Sequence, residues 1–393
     1  MSRPLRAFVI AGEPSGDKLG GALMAGLKSL SAVEFSGVGG PLMQAQGLDS
    51  LFDMADLSVM GLLEVLPRVP KLLHRVKQTA SAVIAARPDV LITIDSPDFC
   101  LRVAGKVRSA LPDIKVVHYV APSVWAWRPE RAAKMARYVD HVLALLPFEP
   151  PLMQAAGMSC DFVGHPVVAE PEPSHDEQRK LAVELGLNPD AGRLVCLLPG
   201  SRKGEVGRLL PIYQQVVSRV QAQFPDTRFI LPMSGAVAAG IREMTRRWDN
   251  PPVLLDPTGL DPDLAEARKR AVFYLCDGAL ATSGTVALEL AAAACPMVVA
   301  YKANYLTTRM VKKLAQIDTA NLVNIVTESR VVPEFLFDAC TAEQITPAFV
   351  KILEDSKTRG RQLEACEQTM VALGRGQQNP GLRAARSVLD FIG

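Results

Sequence analysis

The 393-residue chain has no Cys-x-x-Cys pair, no His-x-x-x-His spacing, little net charge and no long uninterrupted apolar run. Each absence removes a class of function. Seven cysteines stand singly, several inside apolar stretches, and read as reduced core thiols. Five scattered histidines give no ligand pattern, so no protein-held metal is expected. A formal charge of +2 disfavours nucleic-acid binding by bulk charge. The most apolar stretch, Gly278 to Ala300, is broken by Thr282, Ser283, Thr285 and Glu289 and reads as strand, turn, helix and strand. The N-terminus meets a Gly/Pro turn after a short apolar run, unlike a signal peptide, which points to the cytoplasm.

What is present is a folded-protein composition, 49% apolar and 21% charged, long enough for two domains. Mean hydropathy is +0.15, somewhat apolar for a chain that never meets lipid. Short apolar strands alternate with helical patterns, the signature of parallel α/β layers. Strands are expected at Leu5–Ala11, Glu34–Val38, Val90–Ile94, Lys115–Tyr119, His141–Leu145 and Asp161–Val163. After a Pro- and charge-rich stretch at 169–178, read as a linker, they resume at Leu194–Leu198, Phe229–Pro232, Val253–Leu255, Gly278–Ala281 and Met297–Tyr301. Helical patterns fill most of the chain from Thr341 onward.

Several strands end in turns rich in Gly, Pro, Ser or Asp, where ligands of open parallel sheets bind. In LLPGSRKGEV, Gly200 lets backbone approach a ligand, Ser201 opens toward a helix start and Arg202 offers a fork for a diphosphate; a plain turn with Arg202 paired to Glu205 fits equally well. In ATSGTVALE, Ser283, Gly284 and Thr285 make a second anion nest and Glu289 lies one turn on, within reach of a ribose diol; the bland alternative is a cap on an Ala-rich helix. In GEPSGD, Glu13, Ser15, Gly16 and Asp17 crowd a tight turn that is not a dinucleotide fingerprint. Asp95 and Asp98 follow a wholly apolar strand; Asp95 suits a general base, and Asp98 better fits helix capping. Trp125 and Trp127 in a post-strand loop suit a sugar or acyl chain, or the packing of one of them in the core. His118 and His141 read as core histidines.

Residues 57–77 break the alternation. Leu62, Leu66, Val69, Leu73 and Val76 recur at helical spacing, and Arg68, Lys71 and Arg75 share another face. That is the pattern of a helix on an anionic bilayer, although Pro67 and Pro70 require a short apolar segment and then a helix opening at Pro70. From the residues alone, a core-facing helix with a solvated basic face is the simpler reading.

In order, GEPSGD, GVGGP, MGLLEVLPR, IDSPDF, HYVAPSVWAWRPER, LLPFEP, FVGHP, LLPGSR, SGTVALE and CPMVVAYK resemble the motif set of the lipid-A-disaccharide synthases, from residue 12 to 302. The resemblance implies an α/β GT-B fold: two doubly wound Rossmann-like domains facing a central cleft. Residues 1–168 would hold the acceptor, 179–371 the UDP-sugar, and a final helix near 372–393 would pack back on the first domain. It implies a hexosyltransferase of lipid A biosynthesis, moving 2,3-diacylglucosamine from its UDP derivative to 2,3-diacylglucosamine 1-phosphate with inversion. It needs no cofactor, and it works at the cytoplasmic face of the inner membrane. Asp95 matches the family's base, with Glu13 as helper. Arg202 and helix amides would steady the leaving diphosphate, and Asn321 matches a donor-side asparagine, although TANLVN lacks the expected proline and leaves Asn324 as the alternative. Ser15, Gly16, Asp17, Met60, Leu62, Leu63, Leu66, Trp125 and Trp127 would meet acceptor and lipid. Oligomeric state stays open, a homodimer included. The competing readings are another GT-B enzyme using UDP-GlcNAc (a lipid-linked transferase or a 2-epimerase) and a non-catalytic nucleotide-sugar binder on the membrane.

Overall fold

A computed structural model describes residues 3–57, 69–188, 191–304, 308–309 and 317–393. The chain forms two compact units, Met1–Ala169 with Leu373–Gly393, and Glu170–Ala372.

The first unit is built on β1 (Leu5–Ala11), β2 (Val33–Val38), β3 (Val90–Ile94), β4 (Lys115–Tyr119), β5 (His141–Ala144) and β6 (Ser159–Phe162). They form one parallel sheet in the order β2-β1-β3-β4-β5-β6. Every residue of β3 is buried, because helices cover both faces of the sheet, and a continuous apolar run is what such a strand needs. One face packs against Val103, Val107 and Met135; the other packs against Leu23 and Leu27 together with Ala384, Ala385 and Val388 of the terminal helix Pro380–Ile392. That helix is bolted to the sheet: Ser387 Oγ lies 2.8 Å from His141 Nε2, and Phe391 stacks on the His141 ring at 4.8 Å. His118 is likewise a core histidine, 2.7 Å from Thr93 Oγ1, and burial lowers its pKa to about 4.

The second unit is built on β7 (Leu194–Leu198), β8 (Arg228–Pro232), β9 (Val253–Leu255), β10 (Gly278–Thr282), β11 (Met297–Tyr301) and β12 (Glu334–Leu336), again parallel, in the order β12-β11-β10-β7-β8-β9. The sequence reading missed β12, a three-residue edge strand that is only half-buried and carries Glu334. The expected linker at 169–178 is also shorter than read. A 3₁₀ turn occupies Pro166–Ala169, and the helix His175–Glu184 starts inside the span, opened by a Ser174/Glu177 capping box. All seven cysteines are buried and unpaired. Among the described residues no helix is long and apolar enough to cross a membrane.

Each sheet has one place where the strand order reverses. In the first, the chain leaves β1 for β2 on one side and returns to β3 on the other; in the second, it leaves β7 for β8 and returns to β10. The crevices outside the carboxyl ends of β1/β3 and of β7/β10 are therefore the expected ligand sites.

Candidate active site

The GEPSGD turn follows β1 and the IDSPDF turn follows β3, so both flank the first switch point. They touch: a Cβ added to Gly12 would stand 2.6 Å from Ser96 Oγ. Glu13 is the extended N-cap of the helix Pro14–Leu30 and is half-buried; Ser15 is exposed and Gly16 buried. Asp95 and Ser96 both have left-handed backbone, φ 51° and 42°. Two consecutive non-glycine residues in that region cost about 1–2 kcal/mol each, a strain that collects at functional sites. The Asp95 amide donates to the Tyr119 carbonyl at 3.0 Å, which fixes the half-buried aspartate at the sheet end. Asp98 is different: it is exposed in the first turn of the helix Pro97–Ala110 and lines a groove with Leu73, Val76 and Leu101. Ser96, not Asp98, is the N-cap.

Asp17 is engaged by the fold itself. Asp17 is 3% exposed, and its carboxylate accepts from the amides of Gly40, Leu42 and Met43 at 2.8–3.0 Å. It holds the GVGGP turn and presents almost no surface outward. Met60, Leu62, Leu63 and Leu66 lie outside the described residues. Next to them the described helix Val69–Ala86 includes Pro70. Its basic face is partly neutralised, because Lys71 and Arg75 both bind Asp56.

Beyond β4 the backbone is strained again, with φ 85° at Val120 and 53° at Arg128. A β-branched residue at positive φ is a genuine outlier. Between them, Trp125 and Trp127 are both half-buried, so neither is a plain core residue. The Arg128 guanidinium lies 4.5 Å from the Trp127 ring centre. Trp125 donates from Nε1 to Glu149 Oε1 at 3.3 Å and meets Phe148 edge-on at 5.4 Å.

At the second switch point, Gly200 follows β7 with φ 104°, and a Cβ there would lie 2.6 Å from Glu205 Oε2, so both conformation and closeness require glycine. Arg202 is the N-cap of the helix Lys203–Gln223 and pairs with Glu205 at 3.1 Å. The Arg202 side chain is 62% exposed, and such pairs contribute about 0–1 kcal/mol, so a diphosphate can readily displace the carboxylate. Ser201 beside it is exposed. Arg208 of the same helix donates to the Lys302 carbonyl at 3.0 Å, just past β11, which brings a second guanidinium to this sheet end. After β10, Ser283 donates to the Ala320 carbonyl at 3.3 Å, Gly284 and Thr285 are exposed, and the helix Val286–Ala292 begins. Glu289 on that helix is held by Lys269 Nζ at 2.8 Å, and Lys269 also binds Glu266 at 2.7 Å.

Asn321 is held within the fold. It is 1% exposed, and its side-chain oxygen caps the helix Leu322–Val326 by accepting from the Val323 amide at 2.8 Å. Asn324 is buried too, bonded in both directions to the Val332 backbone and to Glu334. Neither amide is turned outward. Two residues that sequence reasoning passed over stand out instead. Lys269 sits in the run Arg268-Lys269-Arg270, which the sequence reading did not single out. Glu149 sat in LLPFEP, where an acid between Phe and Pro directly after a strand was the available signal.

A family model for lipid-A-disaccharide synthetase matches residues 7–387. The chain is 55% identical to the lipid-A-disaccharide synthase of Ruegeria pomeroyi over 391 residues, covering 99% of this chain and 96% of that one. It is 43% identical to that of Rhodospirillum centenum, covering 99% and 95%. The chain belongs to the lipid-A-disaccharide synthase family. As a family member it is a glycosyltransferase of lipid A biosynthesis. Solved structures show the same fold at low identity: the UDP-GlcNAc 2-epimerase from Neisseria meningitidis bound to UDP-GlcNAc has a TM-score of 0.65 at 10% identity, covering 99% of both chains. The glycotransferase of kitacinnamycin has 0.61 at 16%, covering 100% of both. The lipid-A-disaccharide synthase fold is thus α/β of the GT-B class, with two doubly wound units.

Proposed function

We propose that the chain transfers 2,3-diacylglucosamine from UDP-2,3-diacylglucosamine to the 6-hydroxyl of 2,3-diacylglucosamine 1-phosphate, with inversion at the transferred anomeric carbon. The observation that carries this reading is topological: the four turns singled out for chemistry fall in pairs at the two switch points. An α-linked donor giving a β-1,6 product requires in-line attack. The acceptor O6–C1 bond forms as the bond from C1 to the diphosphate oxygen breaks. Asp95 takes the hydroxyl proton, with Glu13 beside it on the touching turn. UDP leaves with its charge met by Arg202, Arg208 and main-chain NH groups of the Gly200–Ser201 and Ser283–Thr285 turns. Glu289, steadied by Lys269, takes the ribose hydroxyls. Ser15, Gly16, Trp125 and Trp127 serve the acceptor.

The segment 57–77 supplies the contact with the anionic cytoplasmic face of the inner membrane, Met60, Leu62, Leu63 and Leu66 being its apolar side. Polar replacement of Leu62, Leu63 and Leu66 should lower partition onto anionic vesicles; undiminished partition would return the segment to ordinary packing.

The decisive assay is incubation with both acylated sugars, followed by mass spectrometry. A disaccharide phosphate appearing in step with UDP is the expected result. Donor consumption without disaccharide would overturn the reading in favour of an epimerase or hydrolase.

A further inference from the structure

Glu149 is a carboxylate in an unusual place. It follows β5 at the carboxyl end of the first sheet and is 3% exposed. No carboxylate is buried without compensation at small cost, and here the compensation is all neutral. Oε2 accepts from the Leu146 amide at 3.0 Å and Oε1 from Trp125 Nε1 at 3.3 Å. Among the described residues no cation faces it. The titratable neighbour is the buried Cys160 thiol on β6, which the Glu149 charge helps to push up to about 12, after the larger effect of burial. Burial lifts Glu149 itself to about 7. A glutamine oxygen could accept from Trp125 without the cost of a buried charge, but its NH2 group would then face the Leu146 amide, whereas the carboxylate accepts at both positions. What the carboxylate adds is a stronger, charge-assisted grip on Trp125. The loop so gripped is the one with strained backbone at Val120 and Arg128, which does not hold its shape by local preference.

We propose that Glu149 is a positioning residue that sets the stance of Trp125, and through that ring the affinity for the acylated sugar acceptor. The inference rests on the acceptor reading of Trp125. It makes acceptor binding weaken on acidification, since protonation near pH 7 exchanges a charged acceptor for a neutral one.

The test uses the full chain carrying Glu149→Leu, Glu149→Gln or neither. Steady-state kinetics are run with UDP-2,3-diacylglucosamine and 2,3-diacylglucosamine 1-phosphate. Loss of a hydrogen bond to a charged group predicts an acceptor KM raised about tenfold in Glu149→Leu, with donor KM unchanged. Glu149→Gln should recover most of that affinity and lose its variation between pH 6 and 8. Trp125 emission, isolated by Trp127→Phe and Trp248→Phe, should titrate near pH 7 with Glu149 and stay flat with glutamine. This arm needs no turnover and holds even if Glu149→Leu fails to fold. Emission indifferent to pH and to Glu149→Gln would overturn the inference. Emission that responds while acceptor KM does not would keep the Glu149–Trp125 coupling and remove Trp125 from acceptor binding.

Discussion

The two switch points are made ready by different means. At β1/β3 the backbone is strained: Asp95 and Ser96 are left-handed in succession, Val120 and Arg128 follow at the next strand, and Glu149 is buried behind them. At β7/β10 positive φ falls on glycines, Gly200 and Gly284, which adopt it at little cost, and the side chains are held by ion pairs, Arg202 to Glu205 and Glu289 to Lys269. The contrast suits the chemistry assigned to each end. A base must be aimed within a few tenths of an ångström, and strained turns over-determined by packing can do that. A diphosphate brings its own charge, and the exposed Arg202 can exchange Glu205 for it. The first end is thus aimed before substrate arrives, and the second is completed by it.

The contrast can be broken at either end. The largest effect should come from Asp95→Ala, which removes the proposed base; kcat should fall by about 10²–10⁴ with the donor KM nearly unchanged. Lys269→Met leaves Glu289 unsteadied and should raise donor KM about tenfold, with Lys269→Arg restoring much of it; an unchanged KM would make the pair purely structural. Glu149→Gln should gain thermal midpoint relative to the parent as pH rises. The folded state holds this proton more tightly than the unfolded chain, about 7 against 4.5, so the stabilisation is whole below about pH 4.5 and is lost as pH rises through 7. The midpoint difference between variant and parent should therefore widen from pH 5 to pH 8. The smallest effect should be Ser96→Gly, a gain of about 1 kcal/mol in stability with a loss of kcat if strain aims Asp95. Stability gained with full activity would show the strain to be incidental.

Much of this was open to reading from the residues. A strand buried on both faces must be apolar throughout, so VLITI and LVCLL announce β3 and β7, and their turns follow. What resisted reading was whatever depended on partners distant in sequence. Asp17 looked like a ligand group until the amides of residues 40–43 were seen to occupy it. Asn321 could have been read as a cap, since Asn before an apolar helical run is a favoured start, but the family motif drew attention elsewhere. Left-handed backbone at Asp95 and Ser96 leaves no mark in the residue types, since neither is glycine. Lys269 gave no signal and Glu149 only a faint one in LLPFEP, because their significance lies in burial and in partners distant in sequence, and a charged residue is by default a solvated one.

The division of labour between the two sheet ends is tested most directly by the affinity of Asp95→Ala and Arg202→Ala for UDP, measured calorimetrically without acceptor. The account predicts parental affinity in the aspartate variant and a loss of about ten- to a hundredfold in the arginine variant. Equal affinities in the two, or weakening only in the aspartate variant, would contradict it.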